Sequence, residues 1–352
     1  MAKLRTERRR QRKKSKWKKR ILYSLLTLFV IIVGIGVYLA FHTYKAAKES
    51  YEGLDRPGEK SELREEAVTI GKDPISILLM GVENYATNGK NGRADTQIVV
   101  TLNPKTNKMT MTSVPRDTRV MLPEEGAGQY AGFHKINSAY TYGSITGYGG
   151  NKLTIEMVED LLDIPIDEYV AVDFEGFREI VDSLGGVEVD IKEGFWEKNI
   201  YNNDKRIYFE EGSAKLNGEE ALAFVRMRKR AVNNIYPRDE RQRQFIKAAI
   251  SQAISVGTIF KVGEISDILG KNVETSLKPS EIYSLQKVYS SIDASGIETF
   301  NIDGSNQMVN GSSYFIPTDE GVSEVTRKLR KELELSASDI NVSSDNEDDT
   351  TY

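Results

Sequence analysis

Residues 21–41, ILYSLLTLFVIIVGIGVYLAF, run for 21 positions without a charged side chain. At ~1.5 Å rise per residue, a helix of that length spans a ~30 Å hydrocarbon layer. A cleaved secretory signal would have a shorter apolar region and a small-x-small site after it; this run is longer and no such site follows. An uncleaved transmembrane anchor is therefore expected. Residues 1–20, just before it, hold twelve Lys/Arg and one acid, Glu7. By the positive-inside rule this basic tip lies in the cytoplasm and everything after the span lies outside the cell. The whole chain has 48 Lys/Arg and 52 Asp/Glu, so the part beyond the span carries a net charge of −15. A nucleic-acid role for the tip competes with this, but topology accounts for the same residues. An acidic extracellular body argues against contact with nucleic acid, and none is expected as a partner.

Composition removes several chemistries. The chain has no cysteine and only two histidines, His42 and His134. Thiol nucleophiles, disulfide scaffolds and cysteine-held metals are excluded, and a histidine cage or Ser-His-Asp triad is nearly so. Residues 42–72 are charged and weakly patterned, with Pro57 and Gly58 in the middle, and are expected to be a juxtamembrane stalk or a peripheral first helix. From Pro74 the pattern changes. ISILLMG (75–81) and TQIVVTL (96–102) have the character of buried strands, and KMTMTSV (108–114) alternates.

Helical spacing follows at 153–164 and 174–184, the second ended by Gly185-Gly186. VEVDI (187–191) is a further strand. Asn217, with Glu220 three positions on, starts a short helix. Residues 239–256 carry an apolar stripe, IETFNI (297–302) is a late strand, and 319–334 forms a last amphipathic helix. The Ser/Asp/Glu-rich tail 336–352 is expected to be disordered. The mixture indicates one α/β or α+β domain over 73–335.

Within it, charges converge. SVPRDTRV (113–120) ends a strand with Arg116, Asp117 and Arg119 close together. FVRMRKR (224–230) puts Arg226 and Arg228 two apart, so that an extended exit from the short helix aims both at one place. Arg238, Arg241 and Gln242 fall on the first turns of the next helix, whose N-terminus favours anions. A solvated surface of weak ion pairs would also explain such runs. Arginine, however, prevails over lysine here, its fork grips phosphate bidentately, and the body is otherwise acidic. Glu83 and Asp95, at the facing ends of two strands, form a carboxylate pair of the kind Mg²⁺ accepts beside phosphate oxygens.

The motifs GVENYATNGKNGRADTQIVVTLNPKT (81–106), SVPRDTRV (113–120), HKINSAY (134–140), DSLGGVEVDI (182–191), LNGEEALAFVRMR (216–228) and RDERQRQ (238–244) together resemble the LytR–CpsA–Psr family, in order, from Ile75 to Ile254. The resemblance implies a central mixed β-sheet flanked by helices, an apolar tunnel for a polyprenyl chain and a pyrophosphate held among arginines with Mg²⁺ (or Mn²⁺). It also implies a membrane-anchored enzyme that moves an anionic glycopolymer, such as wall teichoic acid or capsule, from an undecaprenyl-pyrophosphate carrier to peptidoglycan. By motif, Asp95 with Glu83 would hold the metal. Arg116, Asp95, Arg226 and Arg228 would be catalytic. Arg119, Lys135, Arg238, Arg241 and Gln242 would bind substrate. The lipid tail would lie along Leu161, Phe174, Phe177 and Ile180. Asp95 and Asp117 are the candidates for the base, Asp117 rather as a partner that orients an arginine. Water in place of the acceptor would give slow pyrophosphatase activity. Two positions depart from the pattern: Glu83 replaces the usual aspartate, and Ile235 stands where an aspartate usually precedes Arg238. The rivals are a non-enzymatic envelope regulator and a polyprenyl-phosphate-binding module.

Overall fold

The computed structural model of the protein describes residues 50–84, 91–202, 205–255, 272–289 and 296–335. The expected anchor 21–41, the basic tip and the tail 336–352 lie outside these. Among the described residues no helix is long and apolar enough to cross a membrane.

Six strands make the central sheet: β1 (Ile75–Glu83), β2 (Arg93–Asn103), β3 (Lys108–Ser113), β6 (Glu168–Asp173), β11 (Val273–Thr275) and β12 (Glu298–Asn301), in the order β11-β6-β1-β2-β3-β12. The sheet is mixed: β1 runs antiparallel to β2 and parallel to β6, and β12 runs parallel to β3. Alternation along β1 divides its side chains between two layers. Leu78, Met80 and Val82 enter one core with Leu153, Met157 and Val158 of helix α2 (Gly150–Leu162) and with Val325 and Leu329 of α7 (Asp319–Glu332). Helix α1 (Ser138–Thr146) precedes α2 on the same side. Ile75 and Ile77 face the other way, into a core shared with Ile98, Val100 and Met111, against which Ile246 and Ile250 of α5 (Arg238–Ser255) pack. Leu285 of α6 (Pro279–Tyr289) joins that layer. Each fully buried side chain of this kind contributes about 1.5–3 kcal/mol.

A smaller core stands beside the sheet. Helix α3 (Phe174–Ser183), helix α4 (Gly218–Arg226) and the β7–β10 pair (Val187–Ile191, Gly212–Leu216) close around Phe195, Phe209, Phe224 and Tyr236. The expected strand at 187–191 thus forms, but outside the main sheet. Two hairpins project from the body: β8–β9 (Phe195–Lys198, Arg206–Phe209) and β13–β14 (Gly304–Val309, Ser312–Pro317). A third pair, β4–β5 (Arg119–Leu122, Gly132–Lys135), lies after the first arginine motif.

The described part of the expected stalk is docked on the body. Tyr51 bridges to Thr275, and Arg64 grips Asp167 with two bonds of 2.9 and 2.7 Å. Arg56 pairs with Glu159 at 2.8 Å. Burial holds the Glu159 carboxyl above its ordinary range, against the pull of Arg56. Two ion pairs and a backbone bridge make this segment part of the domain.

Candidate active site

The site lies at one end of β1 and β2, where pairing is irregular. Gly81 opposes Thr96 but Val82 opposes Ala94, so Asp95 is an extra residue in β2. Such a bulge breaks the alternation locally and re-aims a side chain. Here it turns Asp95 into the same cleft as Glu83 and Arg93. Both expected carboxylates thus line one cleft.

Asp95 is closely held. Arg116 donates from Nη1 to its Oδ2, Asn137 Nδ2 donates to Oδ1 at 2.9 Å, and Arg238 Nη1 stands 3.9 Å from Oδ2. Arg116 is brought there by the turn after β3, in which Thr118 N–H donates to Pro115 O at 2.9 Å.

The second arginine group forms through the predicted cap. Asn217 Oδ1 accepts from Glu220 N–H, and Glu220 Oε2 accepts from Asn217 N–H, both at 3.0 Å, a complete capping box worth about 1 kcal/mol. At the far end Met227 leaves α4 with φ −55°, ψ 132°. That extended residue lets Arg226 and Arg228 both line the cleft. Arg238, at the start of α5, lines it too. Burial pushes its guanidinium down to about 10, opposed by Asp95 and reinforced by Arg116 and Arg226, and it stays charged at neutral pH. The cleft encloses about 460 Å³ and continues past Glu197 and Lys198 to Lys229 and Arg230.

Beneath it runs an apolar groove of about 190 Å³. Leu79, Gly81, Val170 and Val172 of the sheet floor it; Phe177, Leu222, Val225, Phe245 and Ile246 wall it. Phe174, Arg226 and Arg238 line both groove and cleft. Phe174 lies 5.2 Å under the Arg226 guanidinium. A site with a cationic mouth over an apolar channel accepts a molecule with an anionic head and a hydrocarbon tail.

Several expected site residues are placed elsewhere. Arg241 is fully buried and holds backbone: it donates to the carbonyls of Phe224, Met227 and Tyr236 and to Asn233 Oδ1 at 3.0 Å. Burial pushes it down to about 10, against the Tyr236 phenol and Asp239. It clamps the segment that carries Arg226 and Arg228 and does not line the cleft. Gln242 lines the groove rather than the cleft, donating to Thr96 Oγ1 at 2.9 Å and Val225 O at 3.3 Å. Arg119 stacks on Phe133, 3.6 Å from its centroid, and Lys135 pairs with Asp117 at 2.8 Å. Neither lines the cleft, because β4 carries the chain away from it after Thr118. Asp117 is also outside, 3.6 Å from Arg116 Nε, where it orients that arginine.

Of the four tail residues, Phe174 and Phe177 line the groove. Leu161 packs in the core on the opposite face of the sheet, and Ile180 in the α3–α4 core. Ile235 is 70% exposed, and Arg238 takes its carboxylate contact from Asp95 instead. Sequence reasoning missed Asn137, which sits inside the quoted HKINSAY motif, and Arg93, the arginine just before Asp95.

Glu83 and Asp95 face an anion site as oxygen donors. Among the described residues no cluster of three acidic or histidine side chains forms. That donor set fits a hard cation completing its shell with phosphate oxygens and water, and fits no all-protein cage.

Known proteins are similar in sequence and fold. The LytR_cpsA_psr family model matches residues 37–331. A teichoic acid transferase of Bacillus subtilis, "polyisoprenyl-teichoic acid–peptidoglycan teichoic acid transferase TagV", is 42% identical over 90% of this chain and 79% of its own length. Its crystal structure matches with a TM-score of 0.64 over 75% of this chain and 99% of that one. A TagU of the same description from Oceanobacillus iheyensis is 36% identical over 92% of this chain and 97% of its own length. The structure of B. subtilis TagT "with bound octaprenyl pyrophosphate lipid" is 28% identical with a TM-score of 0.63, over 81% of this chain and all of that one. The fold and site define an enzyme of the transferase class with a mixed α/β domain. The chain belongs to the LytR–CpsA–Psr family.

Proposed function

We propose that this chain transfers an anionic glycopolymer from an undecaprenyl-pyrophosphate carrier to peptidoglycan on the outer side of the cytoplasmic membrane, to which residues 21–41 anchor it. The carrying observation is the continuity of the groove with the cleft through Phe174, Arg226 and Arg238. A polyprenyl tail fits the first and its pyrophosphate the second. The octaprenyl pyrophosphate bound by TagT and the teichoic acid substrates in the names of TagU and TagV support it.

Phosphoryl transfer depends on positioning and on neutralising charge more than on covalent help. Arg116, Arg226, Arg228 and Arg238 surround the pyrophosphate. A peptidoglycan sugar hydroxyl attacks the phosphorus next to the glycopolymer. An O–P bond forms there, the bridging P–O bond breaks, and undecaprenyl phosphate leaves with the electron pair. The Arg238 and Arg226 guanidiniums, at the groove end, stabilise that leaving phosphate. Of the two candidate bases only Asp95 lines the cleft, and this reading assigns it the hydroxyl proton; Asp117 orients Arg116. Mg²⁺ held by Glu83 and Asp95 would add positive charge at the phosphate oxygens. With water in place of the acceptor, the same geometry yields slow hydrolysis.

The test is turnover. Full-length protein in detergent, with Mg²⁺, a polyprenyl-pyrophosphate glycopolymer and peptidoglycan, should release polyprenyl phosphate and make wall-linked polymer. Stoichiometric lipid binding without turnover would replace this reading with that of a binding module.

A further inference from the structure

The cleft carries more positive charge than its pyrophosphate needs. A pyrophosphate diester has one ionised oxygen on each phosphorus, and four arginines already face it. The cleft is also lined by Lys198 and Arg230, neither of which lines the apolar groove. Arg230 stacks on Trp196, 3.5 Å from the ring centroid, donates to Trp196 O at 3.4 Å and stands 3.9 Å from Glu197. Arg206, on the other strand of the β8–β9 hairpin, lies over the same indole at 4.1 Å. The register places Arg206 opposite Lys198 and Tyr208 opposite Trp196. Tyr208 is 67% exposed. Two guanidiniums on one indole are held in place by stacking, so less of their freedom is lost when an anion binds. Cations thus gather around a half-buried Trp196 and an exposed Tyr208 on one hairpin face, in a body that is otherwise strongly acidic.

With a lipid tail in the groove, as proposed above, the other end of the pyrophosphate points to cleft residues that the groove does not share, Lys198 and Arg230 among them. We propose that the hairpin face formed by Trp196, Lys198, Arg206, Tyr208 and Arg230 binds the phosphodiester repeats of the polymer carried by the lipid. The source of that polymer rests on the transfer reaction proposed above. Phosphates pair with Arg206, Arg230 and Lys198, which the Trp196 ring holds or neighbours, while polyol or sugar units lie on the exposed ring of Tyr208. The site selects polymers with regularly spaced phosphates over neutral ones.

Trp196 reports on its own surroundings, because the only other tryptophan is Trp17 in the basic tip. The full chain with Trp17→Phe, in detergent, is titrated with soluble poly(glycerol phosphate) oligomers while indole emission is followed. A saturable change is expected, absent with a neutral glucan and weakened by salt. Arg206→Gln should weaken binding about 3–10-fold, the range for one charge-assisted contact at a partly exposed site. Arg206 is exposed, so the fold is not at risk, and Lys198→Gln serves as an independent second variant. In turnover, Arg206→Gln should raise KM by a similar factor for a lipid substrate bearing several polyol-phosphate repeats and leave a repeat-free substrate unchanged. Three results overturn the proposal: no saturable signal, equal loss for both substrates, or preference for vesicles of anionic lipid over the oligomers. If the wild type binds the oligomers yet transfers neither substrate, the hairpin site stands and the transfer reading falls.

Discussion

The two faces of the central sheet are made by alternate residues of the same strands, yet one is sealed and the other open. On the α2–α7 side, Leu78, Met80, Leu153 and Leu329 pack at 0–2% exposure. On the other side, Leu79, Gly81, Val170 and Val172 floor the groove. Alternation fixes which face a side chain joins; it does not fix whether that face is filled. Filling depends on where the covering helices stand, and α3, α4 and α5 stand apart enough to leave a channel. Packing on the first face serves stability, and the space on the second serves binding.

Variants can test that division. The largest effect belongs to the cleft at the open side's mouth. Arg226→Ala with Arg228→Ala removes two charge-assisted phosphate contacts of about 1.5–3 kcal/mol each, so transfer should fall roughly 10²–10⁴-fold with the melting temperature little changed. Next come paired substitutions on the two faces. Leu153→Ala should destabilise by about 2–5 kcal/mol in denaturant titrations while folded molecules keep their specific activity. Val172→Trp should do the reverse: nearly native stability, with KM for a long-chain polyprenyl substrate raised on the order of 10-fold because the groove is plugged (~1.4 kcal/mol). If Val172→Trp unfolds the protein and Leu153→Ala abolishes lipid binding, the division of labour between the faces is wrong.

A smaller effect is expected at Glu83. Glu83→Asp should retain much activity, and Glu83→Gln should raise the Mg²⁺ needed for half-maximal rate several-fold. An unchanged Mg²⁺ dependence would leave Asp95 to hold the ion alone or with another group.

The smallest effect on activity lies at the start of β6, in the pH dependence of stability. Burial pushes the Glu168 carboxyl up to about 7, against the hydrogen bond from Ser276. The folded state then holds a proton that the unfolded chain gives up near 4.5. Stability from this group is complete below that pH and is lost as pH rises toward 7. Glu168→Gln should therefore be more stable than wild type at pH 8 and no different at pH 4, measured by urea denaturation at both.

The elements with strong local signals were legible. The Asn217 cap, the Gly185-Gly186 stop, β1 to β3 and the arginine pair at 226 and 228 follow from propensity and spacing alone. Strand β6 was not seen, although it lies beside β1 in the sheet. Its run EYVAVD is short and bounded by acids, and its pairing with β1 on one side and β11 on the other makes it a strand. Arg241 was misplaced for a related reason. Three residues from Arg238 on the same helix, it has the same chemistry, and nothing local tells a guanidinium that meets phosphate from one that meets carbonyls. The depth of each position decides that, and depth is set by contacts far apart in sequence. Arg119 and Lys135 were drawn in by proximity to Arg116 along the chain, which β4 and β5 then carry apart.

Asp95 opposes no residue of β1, while its neighbours on either side keep regular partners. Deleting this one residue would heal the hairpin without changing which face any other residue of β1 or β2 occupies. The carboxylate is in effect an insertion laid onto a complete scaffold. Chemistry and architecture are separable at a single codon, and a chain lacking it should keep the sheet and the apolar groove without the carboxylate that Arg116 and Arg238 contact.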